Sequence, residues 1–206
     1  MPVTELALLH LRSDPSPSTK STLLQAQKQQ TEYSGYQVTY LRQIQTPASF
    51  YLLGGWESIE KHTGEGEWIS SETNQTLLAQ LKDSIDVAWM FHLDLDPSTL
   101  TIPDGPILAI FRYFILPGKK DEFEAIFKTG LARLERDTAP ALFSVCGAWR
   151  IDKAQEDEFV VFGRCSRDED EDYWDLLEMT IFGGIGDVVG LTTGRDVRYV
   201  RVEKWE

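Results

Sequence analysis

The sequence predicts an α+β fold of two tandem ferredoxin-like (βαββαβ) repeats that close into one barrel within the chain. Three observations carry that reading. The order strand, helix, strand, strand, helix, strand can be traced twice along the 206 residues. Between the copies lies a stretch of linker composition, Asp96-Pro97-Ser98 through Pro103-Asp104-Gly105-Pro106. A unit of this kind carries helices on one face of its sheet only, so the other, apolar face needs cover, and a second copy can supply it. The expected boundaries are 1–96 for the first repeat, 97–106 for the linker and 107–206 for a second, divergent repeat.

In chain order, Glu5 to Leu11 reads as an apolar-rich strand, stopped by Ser13-Asp14-Pro15-Ser16-Pro17. A helix is expected from about Ser18 to Tyr33, with Leu23, Leu24 and Ala26 as apolar positions, glutamines on its wet side and Gly35 as its stop. Tyr36 to Ile44 alternates with period two, a strand half buried on one face. Thr46-Pro47-Ala48-Ser49 forms the turn to a return strand, Phe50 to Trp56. A short helical turn, a glycine break at Gly64 and Gly66, and a helix ending near Leu81 follow, before a strand over Val87 to Leu93. The second copy runs as a strand over Ile107 to Leu116 and a helix bearing Phe123, Ile126, Phe127, Leu131 and Leu134. Then come strands over Phe143 to Ile151 and Phe159 to Cys165, a helix around Tyr173-Trp174-Leu177, and a closing strand over Val197 to Val202.

A formal charge of -13 disfavours nucleic acid and anionic membranes as partners, since both would repel the chain. The acidic runs Glu156-Asp157-Glu158 and Asp168 to Asp172 read as a solvated hairpin tip and a solvated helix start. The first residues lack a basic segment followed by a long apolar core, no apolar run approaches a membrane span of about 20 residues, and two cysteines make no disulfide framework. A soluble cytoplasmic protein with free thiols is the expectation.

The functional reading centres on Gly54-Gly55-Trp56-Glu57-Ser58 through His62 and on to Trp68, Ser70, Ser71, Asn74 and Gln75. A tryptophan ends the strand and a histidine, which exchanges a proton near neutrality, stands where the chain is about to bend. This order resembles the dimeric α+β barrel superfamily. More narrowly it is similar to the antibiotic-biosynthesis-monooxygenase-like branch and its tandem, two-repeat fungal-type members. The pattern is Trp, an acidic residue and Ser, then a His, then a Ser-bearing helix; here Trp56, Glu57, Ser58, His62 and Ser70 or Ser71. The second half departs from it: Cys165 stands where Trp56 does, no histidine lies beyond, and Ile181 to Gly186 replaces the orderly second helix.

The resemblance implies a cavity between helices and sheet and a cofactor-independent enzyme of natural-product metabolism. Its partner would be a hydrophobic aromatic or polyketide-like small molecule. A base takes a phenolic or enolic proton, and the carbanion reacts with dioxygen or with a carbonyl of the same molecule. His62 is the expected base and Asn74 its orienting or oxyanion-holding partner. Trp56 and Trp68 are expected as flat walls, Tyr36 and Tyr40 as donors from one strand face, and His10 and His92 as further lining from the first and fourth strands. Each has a plain alternative: a helix-capping or exposed histidine, a wet-face asparagine, core aromatics. No metal and no cofactor is assigned; a His10–His92 metal pair lacks a third ligand.

Two other functions stay open, a non-catalytic binding or stress-response protein and a haem protein with a histidine as axial ligand. The chain is expected as a monomer with a pseudo-dimeric barrel or as a homodimer. In the second half, Arg112 and Arg164 can meet an anionic group or a buried carboxylate. Cys146 and Cys165 face each other if the hairpin tip lies between Gln155 and Glu156. Gly183-Gly184-Ile185-Gly186 reads as a lid or a broken helix.

Overall fold

The computed structural model describes residues 1–100, 102, 104–137, 143–165, 181–182 and 188–205. The chain divides into two compact units, Met1–Asp104 with Val200–Glu206, and Gly105–Tyr199. The expected helix around Tyr173 and the glycines at 183, 184 and 186 lie outside the described residues, as does the acidic run from Asp168.

In the first unit, strands β1 (Val3–Leu11), β2 (Thr39–Gln43), β3 (Ser49–Trp56) and β4 (Ile85–Leu93) stand in the order β4-β1-β3-β2, every pair antiparallel. Helices α1 (Pro17–Ser34), α2 (Ile59–Thr63) and α3 (Glu72–Leu81) complete it. The limits of α1 follow from local chemistry. Ser16 accepts a hydrogen bond from the Thr19 amide, Pro17 occupies the first turn, and Gly35 ends the helix at φ 78°, a left-handed conformation that glycine adopts without cost.

Strand β2 is shorter than the alternation implies. The Val38 amide donates to Thr31 Oγ1 and its carbonyl accepts from Gln27 Nε2, so α1 side chains occupy backbone groups that a ladder would need. Tyr36 therefore stands outside the strand that holds Tyr40, and the two do not share a strand face.

One cluster on the helix side of the sheet joins Leu11, Leu23, Tyr40, Phe50, Leu81 and Ile85. Its closing member is Trp205, from the end of the chain, which lies edge-on to Phe50 at 5.2 Å and Tyr40 at 5.9 Å, under the Arg42 guanidinium. The last residues reach this core because Val200–Val202 pair antiparallel with β2 and Arg42 forms an ion pair with Glu203.

The second unit holds β5 (Leu108–Ile115), α4 (Lys120–Asp137), β6 (Phe143–Trp149), β7 (Asp157–Cys165) and most of β8 (Thr192–Val202), with strand order β8-β5-β7-β6. Phe123, Phe127 and Leu134 bring one face of α4 onto Phe111, Tyr113, Phe159 and Val161. The β6–β7 hairpin is centred on Ala154, since Cys146 pairs with Phe162 and Phe143 with Cys165. Cys146 and Cys165 are thus not opposed. The tip lies a residue and a half nearer the N-terminus than expected, which moves the pairing by three positions and reverses the face. Burial pushes the Cys146 thiol up to about 12, so it behaves as a small core side chain. Glu158, expected at a solvated tip, is buried between Arg112 (2.5 Å) and Arg150 (3.1 Å), which answers the question of Arg112 with an ion pair inside the unit. Arg164 lies in β7 opposite Leu108 and Ser144.

The Trp205 indole N–H has no hydrogen-bond partner among the described residues. Trp205→Phe should therefore change stability little, whereas Trp205→Ala should cost about 3–5 kcal/mol, as for other buried tryptophans. Urea unfolding followed by near-ultraviolet circular dichroism checks this; a midpoint unmoved by Trp205→Ala would contradict the packing.

Candidate active site

Strand register sets the site. Glu5 lies opposite His92 on one side and Gly54 on the other, so carboxyl, imidazole and a position without a side chain form one row across β4, β1 and β3. Trp56, two residues beyond Gly54, shares that face. Ser58 then caps α2, whose short turn brings His62 back over the strand end.

The resulting cluster is dry. Glu5, Gln30, Trp56, His62 and His92 are each 5% exposed or less. Glu5 Oε2 accepts from Gln30 Nε2 at 2.7 Å and from Trp56 Nε1 at 2.8 Å. His62 Nδ1 and His92 Nε2 are 2.7 Å apart, one donating to the other, and His62 Nε2 stands 3.8 Å from Glu5 Oε2. The Trp56 ring stacks on His62 at 4.2 Å, nearly parallel. Gly54 is a spatial requirement, because a Cβ there would lie 2.9 Å from Gln30 Nε2 and 3.2 Å from Glu5 Oε2.

Burial raises the Glu5 carboxyl from 4.5 to about 7, against the smaller opposing effect of the Trp56 and Gln30 hydrogen bonds. Both donors go to Oε2, which leaves Oε1 to carry the proton of the neutral acid. With Glu5 ionised, an Nε2–H of His62 faces the carboxylate and its Nδ1 accepts from His92. Glu5, beside two imidazoles, thus gains or loses a proton near neutrality.

Of the residues singled out from sequence, His62, His92 and Trp56 meet here, and Trp68 lies beyond them, its ring tilted 40° to that of Trp56 at 6.2 Å. The tryptophans fill the space beside His62 with Val3 and Leu77, where the resemblance implied an open cavity. Tyr33 covers them from α1, donating to Glu67, which Lys61 also binds.

Asn74 does not orient the imidazole. Its side chain donates to the Ile69 carbonyl and its amide to the Ser71 cap, because it sits in the first turn of α3, where free backbone groups need partners. Ser70 is likewise occupied with the Gly64–Glu67 turn. Tyr40 donates to the Leu23 carbonyl inside the core, and burial pushes its pKa up. His10 bonds Ser49 and lies opposite Asp86, five residues along β1 from Glu5 and so roughly 17 Å away on the other face; it forms no pair with His92.

Glu5 and Gln30 are the members that sequence reasoning missed. Among the described residues no group of three or more His, Cys, Asp or Glu is placed to hold a metal ion. His62 and His92 bond each other and His10 bonds Ser49, an arrangement that does not fit an axial ligand of haem.

Among the described residues, two cavities have linings without a histidine. One, of about 350 Å³, is bounded in the first unit by Thr4, Tyr36, Thr39, Leu53, Pro97 and Leu100 among others. The other, of about 410 Å³, lies on α4 against Ile181 and Phe182.

No family model matches the sequence, and no curated protein matches it. Solved structures do match in shape. A candidate monooxygenase from Fusobacterium nucleatum has a TM-score of 0.67 at 10% identity, covering 98% of this chain and 93% of its own. A candidate monooxygenase from Lactobacillus acidophilus has 0.64 at 10%, covering 98% and 94%. An anthrone oxidase-like protein has 0.61 at 12%, covering 98% and 92%. The likeness is one of fold. It agrees with the mixed α+β class read from the sequence. Among the described residues no helix is long and apolar enough to cross a membrane.

The raised carboxyl makes stability depend on pH. Between about 4.5 and 7 the folded chain holds a proton on Glu5 that the unfolded chain has released, so this contribution is complete below 4.5 and is lost as pH rises through 7. Glu5→Gln has no such proton to lose. Its stability relative to the wild type should climb by up to about 3 kcal/mol from pH 4.5 to pH 8. Urea midpoints across that range check it; parallel curves would refute the shift.

Proposed function

We propose that this chain is an enzyme acting without a cofactor on an aromatic or polyketide-like small molecule of natural-product metabolism, by chemistry that begins with proton removal at the Glu5–His62–His92 cluster. The observation that carries the proposal is a carboxyl and two imidazoles held together in a dry interior, with the carboxyl brought to about 7. Burying such groups is costly, and an apolar trio would pack the same space without that cost. The fold likeness to candidate monooxygenases and an anthrone oxidase-like protein supports the same reading.

In this reading His62 is the general base. When the cluster opens, Nδ1 of His62 parts from His92 and takes the substrate's proton. Its Nε2–H stays aimed at Glu5 Oε2, and the carboxylate, anchored by Trp56 and Gln30, stabilises the imidazolium. The substrate anion then reacts with dioxygen, or with a carbonyl in the same molecule. Access requires the segment from Ser58 to Ser71 to part from Tyr33, with Trp56 and Trp68 becoming walls for the ring. The narrower architecture belongs to the same proposal. Repeats 1–96 and 107–206 form one barrel of the tandem antibiotic-biosynthesis-monooxygenase-like kind, in a cytoplasmic monomer or homodimer. The strand orders of the two units support it.

The test is turnover of an aerated panel of anthrones and polyphenols. His62→Ala should lower kcat by about 10²–10⁴-fold while ligand affinity changes little. Glu5→Gln should displace the apparent pKa of the kcat profile. Unchanged turnover in His62→Ala would refute the role of His62, and binding without turnover across the panel would make the chain a sequestering protein instead.

A further inference from the structure

Two successive glycines in β3 serve opposite faces of the sheet. Gly54 leaves room for Gln30 and Glu5, whereas a Cβ on Gly55 would meet Pro97 at 2.5 Å and Tyr36 at 2.8 Å. Neighbouring strand residues point to opposite faces, so Pro97 and Tyr36 rest on the side of β3 away from the acid cluster. Both line the 350 Å³ cavity. The strand side chains in its walls agree: Thr4 pairs with Gly55, and Thr39 pairs with Leu53, two residues before Gly55, while Gly54 adds only backbone. The cavity is therefore separate from the site that holds His62.

The chemistry of its lining is specific. Leu53, Pro97, Leu100 and the Tyr36 ring give apolar surface, and Thr4, Tyr36, Thr39 and Ser98 bring hydroxyls. Thr4 Oγ1 already donates to the Leu95 carbonyl, and Ser98 Oγ to Asp96, so these oxygens are left to accept. The hydrogen bonds of Tyr36 run through its backbone, leaving its phenol to donate. No lining side chain is an acid, a lysine, an arginine or a histidine. A charged ligand would lose its hydration here without gaining a counter-ion, and an anion would also meet the field of a chain carrying -13.

We propose that this cavity binds an uncharged, oxygen-bearing aromatic molecule, its ring against Leu53 and Pro97 and its oxygen bonded to Tyr36. The volume falls near the lower end of small-molecule sites, about 300–1,000 Å³, which sets the scale at about two or three fused rings. The site stands independently of whether the cluster across the sheet turns over a substrate.

Isothermal titration calorimetry on the full chain with 2-naphthol, naphthalene and 2-naphthoate tests it. One molecule of 2-naphthol should bind per chain. Naphthalene should bind about fivefold more weakly for want of one hydrogen bond, and 2-naphthoate at least about tenfold more weakly. Tyr36→Phe should weaken 2-naphthol to the level of naphthalene and leave naphthalene unchanged. Thr39→Trp, which fills the space, should abolish binding of both. Glu5→Gln, across the strand, should leave all three affinities within about twofold. If Thr39→Trp fails to fold, Tyr36→Phe and the ligand series decide alone. No binding of 2-naphthol to the folded wild type, naphthoate binding as tightly as naphthol, or affinities that follow Glu5→Gln rather than Tyr36→Phe would each overturn the proposal.

Discussion

The first unit is organised around the cost of burying one carboxyl. Glu5 sits in a central strand with helices over it, and its environment answers the charge in several ways. Trp56 and Gln30 give it hydrogen bonds, two histidines lie within reach, and Gly54 gives up a side chain to make room. None of these cancels the loss of water, which is why the acid is drawn toward neutrality rather than held ionised. A group left half-way between its charge states in a closed interior is sensitive to small changes of surroundings. Admission of water past Tyr33 and Trp68 would return Glu5 toward its ordinary value. In the proposed mechanism, opening the segment over His62 would therefore be coupled to release of that proton.

Much of this was legible in the residues. Gly35 reads as the stop of α1 and ends it, whereas Ser16 and Pro17, which read as the breaker after β1, form its cap and first turn. His62 stands beside Trp56, the residue from which its place is read. Glu5 escaped notice because Glu5 to Leu11 reads as a run of apolar residues that an acid merely begins. Strict alternation puts Glu5 on the face of Ala7 and Leu11, where an acid is out of place, and that was the available signal. Gln30 looked like one more glutamine on a wet helix face. Nothing local marks it, because only the fold brings Glu5 beneath it.

Other departures share a physical origin in long-range contacts. Tyr36 to Val38 has the alternation of a strand, yet the helix side chains of Thr31 and Gln27 claim the backbone of Val38. The β6–β7 tip contains no Asn-Gly or Asp-Gly pair to pin the register, so the position of its centre was open by several residues. Glu158 looked solvated because its neighbours are acidic, and only pairing across the sheet delivers Arg112 to it. Asn74 shows the reverse: a helix-start asparagine whose side chain is held by its near neighbour, the Ile69 carbonyl, rather than by the distant imidazole.

Trp205 has a consequence for synthesis. The N-terminal unit has its own sheet and helices by residue 104, yet a ring in its interior arrives only at residue 205. At ribosomal speeds of roughly 5–20 residues per second, the intervening hundred or so residues take about 5–20 s to emerge. For that interval the nascent half stands with Tyr40 and Phe50 uncovered, a natural station for a holding chaperone.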